Sequence, residues 1–254
     1  MSFRAVRRAV ALAIALASVV VRYWWVRIRG PLTWEQKAQW SQDASRMVLG
    51  ALGIHGEVIG QPPSEGLVVS NHLSYLDILI IASAMPCFFV AKMEIGRWPF
   101  FGEAAHSNGT IFLDRSSLAS ATSVADQMVE RLKLPIPVLL FPEGTSTDGS
   151  EVLPFHSRLI DPATSTGRPI TAAAVSYFID GGVEERELCW FGDTEFLPHL
   201  IKALDTPGFS AMVQFGEPQI YPDRRTAAHA TRAEVVAMRE GARCLEEQEA
   251  LQPA

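Results

Sequence analysis

The chain has 254 residues, 48% hydrophobic and 20% charged, with a net charge of −6 at neutral pH. That is ordinary for a globular protein and long enough to bury a substantial core. Six arginines and no acid lie in residues 1–30, where they bracket an oily run instead of spreading over a folded face, so anionic lipid suits them and nucleic acid does not. The three cysteines, Cys87, Cys189 and Cys244, stand far apart with no C-x-x-C pair. They indicate reduced thiols on a cytosol-facing body, with neither a disulfide framework nor a zinc site.

Residues 9–26 form the first element, an apolar helix with one arginine inside and with Tyr23, Trp24 and Trp25 at its end. A bilayer core asks for roughly 20 apolar helical residues. The segment therefore reads as a short span, a re-entrant anchor or a helix lying in one leaflet, with the aromatics at the interface. A cleaved signal peptide is the competing reading. Residues 33–52 follow as a second helix, with Thr33 and Gln36 placed for a capping box and Gly53 as its stop.

Beyond Gly53, short apolar runs recur at 54–59, 66–70, 88–91, 110–113, 137–141, 170–177, 187–191 and 210–215. Helical stretches intervene at 76–84, 118–134, 195–204 and 226–248. This alternation predicts an α/β fold with a mixed, partly parallel central sheet flanked by helices. The expected organisation is an N-terminal membrane-attachment segment, residues 1–52, ahead of one catalytic domain, residues 53–254.

Three stretches carry chemistry. In the first, Ser70-Asn71-His72-Leu73-Ser74-Tyr75-Leu76-Asp77, a strand gives way to a loop and then a helix. His72 and Asp77 are five positions apart, about 140° on an ideal helix, so they do not share a helical face. They meet only if His72 precedes the helix and folds back over its first turn. The carboxylate then fixes the ring tautomer and makes the other nitrogen a general base for an alcohol. The plainer reading is a Ser74–Asp77 cap beside a structural histidine. The second stretch, Gly109-Thr110-Ile111-Phe112-Leu113-Asp114-Arg115, ends a strand in a guanidinium suited to phosphate or carboxylate, or simply to a surface ion pair. The third, Phe141-Pro142-Glu143-Gly144-Thr145-Ser146-Thr147, holds an acid in a tight turn, with Gly144 free to take positive φ and hydroxyls alongside. Alone it is also consistent with an ordinary polar loop. The remaining histidines show no ligand spacing. His199 opens a helix, where capping or packing is its default role.

The three stretches, in this order, resemble the glycerolipid acyltransferase family, whose founding activity is 1-acylglycerol-3-phosphate acyltransferase. The family's H-x4-D box matches His72 and Asp77, its F-x-x-R box matches Phe112 and Arg115, and its F-P-E-G-T box matches Phe141–Thr145. The resemblance spans about residues 54–220. It implies direct acyl transfer from acyl-CoA or acyl carrier protein to a lysolipid hydroxyl, without an acyl-enzyme, a cofactor or a metal. His72 and Asp77 are its expected catalytic pair. Lys92, Phe112, Arg115, Glu143, Gly144 and Thr145 are its expected acceptor-binding residues. The implied setting is a membrane surface, on the cytoplasmic face of the inner or plasma membrane. Two features depart from the family pattern: Ser146 and Thr147 replace the usual Arg-Ser, and Pro169 comes early in the fourth box. The missing arginine leaves Lys92, Arg115 and Arg158 as headgroup cations. The leading acceptor is 1-acylglycerol-3-phosphate, with a lyso-ornithine lipid as the alternative and a non-enzymatic lipid-binding role as the further one. A serine hydrolase is disfavoured because no G-x-S-x-G elbow is present.

Overall fold

The computed structural model describes residues 2–28, 30–97, 101–113, 118–180 and 183–250. Its centre is a seven-stranded sheet in the order β1-β7-β6-β2-β5-β3-β4, formed by Ile54–Ile59 (β1), Leu67–Ser70 (β2), Phe88–Lys92 (β3), Ile111–Leu113 (β4), Val138–Leu140 (β5), Ile170–Ile179 (β6) and Phe209–Phe215 (β7). Among the described strands only the β6–β7 pair is antiparallel. The sheet is therefore mixed and mostly parallel, as the alternating pattern predicts.

Buried side chains alternate between the two sheet faces. In β2, Val68 enters one core with Ile80, Ile81 and Val175, while Leu67 and Val69 enter the other with Met128, Leu132 and Val235. A strand covered on both sides reads as an unbroken apolar run. The first face is covered by α2 (Trp34–Leu52), α3 (Leu76–Ala84) and α7 (Phe196–Asp205), the second by α5 (Leu118–Leu132), α6 (Asp161–Ser165) and α8 (Arg224–Ala250). The short helices α4 (Phe101–Ser107) and α6 are too brief to leave a periodic signal.

The expected capping box is present: Thr33 caps Gln36 and Gln36 reaches back, while Gly53 closes α2 in the left-handed conformation at φ 70°. One expectation fails. Residues 187–191 are not a strand: Glu185–Leu188 is a 3-10 turn. After that turn the Trp190 N–H donates to the Leu73 carbonyl at 2.8 Å. The run is apolar because Leu188 and Cys189 are buried beneath it, not because it pairs in the sheet.

The first helix, α1 (Phe3–Arg27), is long and apolar enough to cross a membrane by length and composition. One stripe, including Ala5, Arg8 and Ala15, is buried, whereas Val6, Val10, Ile14, Val21, Trp24 and Trp25 are exposed. Arg8 donates to the carbonyls of Thr206 at 2.6 Å and Pro207 at 3.0 Å, just past the end of α7. A cation there complements the negative end of the helix dipole.

Where β2 ends, Asn71 continues the pairing with its side chain. It accepts from the Val175 N–H at 2.8 Å and donates to the Val175 carbonyl at 3.0 Å. Asn71→Ala would orphan that buried N–H, since Arg239 still serves the carbonyl. The expected loss is about 2 kcal/mol of unfolding free energy, read as a lower urea midpoint.

Candidate active site

Strands β2, β5, β3 and β4 run the same way, so their C-terminal ends share one edge. His72 follows β2 and Phe141–Thr145 follow β5, while Lys92 and Leu113 end β3 and β4. Crevices at the carboxyl ends of strands are where such sheets place their chemistry.

His72 lies in the loop and Asp77 in the first turn of α3, and the loop folds back over that turn. His72 Nδ1 is 2.8 Å from Asp77 Oδ2. The same oxygen accepts from the backbone N–H groups of Leu73 at 2.6 Å and Ser74 at 2.9 Å, and the Tyr177 hydroxyl donates to Oδ1. Asp77 is fully buried, yet four donors satisfy it; a buried carboxylate with fewer partners would carry a large desolvation cost. His72 is 18% exposed and stacks on Phe141, with centroids 4.1 Å apart. The ring is thus held at one nitrogen and supported on one face.

Glu143 has both oxygens engaged inside the protein. One accepts the His72 N–H at 2.8 Å and the other the Leu153 N–H at 2.8 Å. Burial pushes its carboxyl up to about 7, and the Leu153 and His72 amides pull it partly back. In this conformation Glu143 braces the histidine loop. Gly144 takes φ 77° in the same turn, a conformation that suits glycine. Thr145 is exposed beside it. The Thr147 N–H donates to the His72 carbonyl at 2.9 Å, and Ser146 Oγ donates to the Trp190 carbonyl. Where the family's arginine would stand, Ser146 therefore clips two loops together. Phe112 is buried against the His106 ring, 4.3 Å between centroids, and Lys92 is exposed. Arg115 lies outside the described residues.

Several residues at this site give no signal in the sequence. Tyr177 sits in a buried apolar strand, and nothing marks its hydroxyl as the partner of Asp77. Arg239, from α8, donates to the carbonyls of Val175 at 3.0 Å and Gly149 at 2.9 Å and forks onto Glu185 at 2.6 and 2.7 Å. His199 is packed, as its default reading holds. Its Nδ1 lies 3.1 Å from the Tyr75 hydroxyl and its Nε2 3.2 Å from the Leu188 carbonyl, and burial holds it below the usual histidine range.

A histidine pinned by a buried carboxylate at the open edge of an α/β sheet is arranged as the general base of an enzyme. Comparison with known proteins makes the class specific. An acyltransferase family model matches residues 53–176. A lyso-ornithine lipid O-acyltransferase of Pseudomonas aeruginosa is 32% identical over 82% of this chain and 80% of its own. A 1-acyl-sn-glycerol-3-phosphate acyltransferase of Neisseria meningitidis is 34% identical over 55% of this chain and 56% of its own. The crystal structure of the acyltransferase PlsC from Thermotoga maritima shares the fold, with a TM-score of 0.66 over 99% of this chain and 100% of that one at 18% identity. The chain belongs to the acyltransferase family and is an O-acyltransferase.

Two outcomes follow. Tyr177→Phe removes a donor from the carboxylate that orients His72. The value of kcat/KM should fall by about threefold, the equivalent of a weak hydrogen bond, in protein that still unfolds cooperatively; an unchanged kcat/KM would separate Tyr177 from the base. Glu143 titrates higher in the folded protein than in the unfolded chain, so its contribution to stability is full below about 4.5 and lost as pH rises through about 7. Unfolding free energies of wild type and Glu143→Gln between pH 5 and 8 should therefore differ in slope, with the steeper decline in wild type.

Proposed function

We propose that this enzyme moves a fatty acyl group from acyl-CoA or acyl carrier protein onto a lysolipid hydroxyl at a membrane surface. The observation that carries the reading is the 2.8 Å contact of His72 Nδ1 with Asp77, which leaves Nε2 as the nitrogen that takes a proton. The acceptor oxygen attacks the thioester carbonyl as its proton passes to Nε2. The tetrahedral intermediate then expels the thiolate, which recovers the proton from the imidazolium. Asp77 holds the tautomer and stabilises the ring's transient charge. We assign Lys92 and Thr145, both exposed, and Arg115 of the F-x-x-R box to the acceptor head, with Glu143, Gly144 and Phe112 behind them. Residues 1–52 attach the body to lipid, so that lysolipid and product stay in the leaflet.

Two acceptors fit this chemistry: 1-acylglycerol-3-phosphate and a lyso-ornithine lipid. The second gains support from the surroundings of the site. Ser146 occupies the position of a phosphate-pairing arginine. The segment clipped to the histidine loop through Trp190 also presents exposed acids at Glu184, Asp193 and Glu195, which suit an ornithine ammonium better than a phosphate. The lyso-ornithine relative also matches over a larger share of its own length.

His72→Ala should lower transfer by about 10²–10⁴-fold in protein that still unfolds cooperatively; activity within a few-fold of wild type would remove His72 from the mechanism. Purified enzyme offered both donors, with lysophosphatidate and lyso-ornithine lipid as competing acceptors, should acylate the ornithine lipid faster. Preference for lysophosphatidate would reverse the acceptor assignment and leave the mechanism standing.

A further inference from the structure

Outside α1 and Ile28, large apolar side chains exposed to solvent are few among the described residues: Val58, Leu197, Ile201 and Ile220. Val58 lies in β1 and Ile220 in the segment before α8. Singly placed apolar residues of that kind are ordinary at a protein surface. Leu197 and Ile201 differ, because they stand four positions apart on α7 and so share one face. Leu197 is 62% exposed, and Pro198 beside it is exposed too.

The inner side of α7 is well used. Leu204 is buried, and Leu200 and Ala203 pack against the same core that takes Ala5, Ala9 and Leu12 of α1. The two helices lie side by side, and Ser2 and Arg8 tie the start of α1 to the C-terminal end of α7. The exposed pair therefore stands beside the helix that is long and apolar enough to cross a membrane, whose own outer surface carries Val6, Val10 and Ile14. The other end of α7 meets the histidine loop. The Phe196 ring lies 5.0 Å from the ring of Tyr75, and His199 Nδ1 lies 3.1 Å from the Tyr75 hydroxyl. Tyr75 falls between His72 and Asp77 in the chain. One helix thus links the exposed apolar pair to the loop that holds the base.

Charge around the pair does not favour an anionic surface. Asp193 and Glu195 are exposed just ahead of α7, and Lys202 is already paired with Glu187. Anionic headgroups attract basic segments and repel acids of this kind, so the face suits acyl chains, engaged through burial of apolar area. We propose that this face of α7 is a second membrane contact, in which Leu197 and Ile201 rest in the leaflet that receives α1 and hold the His72 loop against the bilayer. The proposal rests on the reading of α1 as a membrane helix and adds a contact from the catalytic domain itself. Held by α1 alone, the body could roll about that helix; a second contact fixes the attitude at which a lysolipid meets Nε2.

The test reads depth directly. The full chain is placed in vesicles of phosphatidylethanolamine and phosphatidylglycerol, with one nitroxide label at Leu197→Cys, Ile201→Cys, Ile14→Cys or Ile220→Cys. A Cys244→Ser background removes the exposed native thiol, since Cys87 and Cys189 are buried. Oxygen collects in the bilayer and a nickel chelate stays in water, so their relative effect on each label reports its depth. The labels on α7 should favour oxygen as the Ile14 label does, while the Ile220 label favours nickel. Labels on α7 that follow Ile220 while Ile14 enters lipid would overturn the second contact alone. An Ile14 label in water would overturn the membrane reading of α1 and this proposal with it. Shielding of both α7 positions from both reagents would assign the face to a protein partner, again against the proposal. Leu197→Asp should also lower transfer to a long-chain lysolipid in these vesicles by about fivefold, and leave transfer to a water-soluble, short-chain lysolipid within about twofold of wild type. Equal losses on the two acceptors would mean a disturbed site and sink the idea.

Discussion

The buried carboxylate of Asp77 is the constraint around which the catalytic half of the molecule is arranged. Fully shielded from water, it is satisfied by donors that converge from two places: the loop that carries His72, through the ring and the Leu73 and Ser74 amides, and β6 through Tyr177. Each donor also fixes an element. The two loop amides force the chain to double back, which brings together side chains five positions apart, and the tyrosine sets α3 against the centre of the sheet. Orienting the imidazole and packing the core are one arrangement here, so a change to either disturbs the other.

The parts of this design that were legible in the sequence are those written in local order. The capping box at Thr33 and Gln36, the stop at Gly53 and all seven strands follow from short patterns, and the His72–Asp77 contact follows from asking how a spacing of five can close. Residues 187–191 misled because burial and strand pairing leave the same apolar trace; here Leu188 and Cys189 are buried while Trp190 holds a loop. Glu143 was legible as part of a box, but its bonds to the His72 and Leu153 amides were not, because no side-chain pattern announces backbone partners. Tyr177 and Arg239 reach the site from 100 and more positions away, a distance across which one sequence carries no pairing signal.

The N-terminal helix shows how one segment serves two environments. Its small residues and Arg8 face the body, and its valines and tryptophans face outward. A cation seated on the carbonyl end of α7 fixes where the oily stripe points relative to the body.

The reach of Arg239 has a consequence for how the protein comes into being. One guanidinium from the last helix ties β6, the turn at Gly149 and the Glu185 segment together. During synthesis the oily first helix emerges long before this residue does. The loops around the histidine are likewise made long before the residue that braces them. They gain this brace only once Arg239 has joined the chain, so the site matures after the strands that carry it.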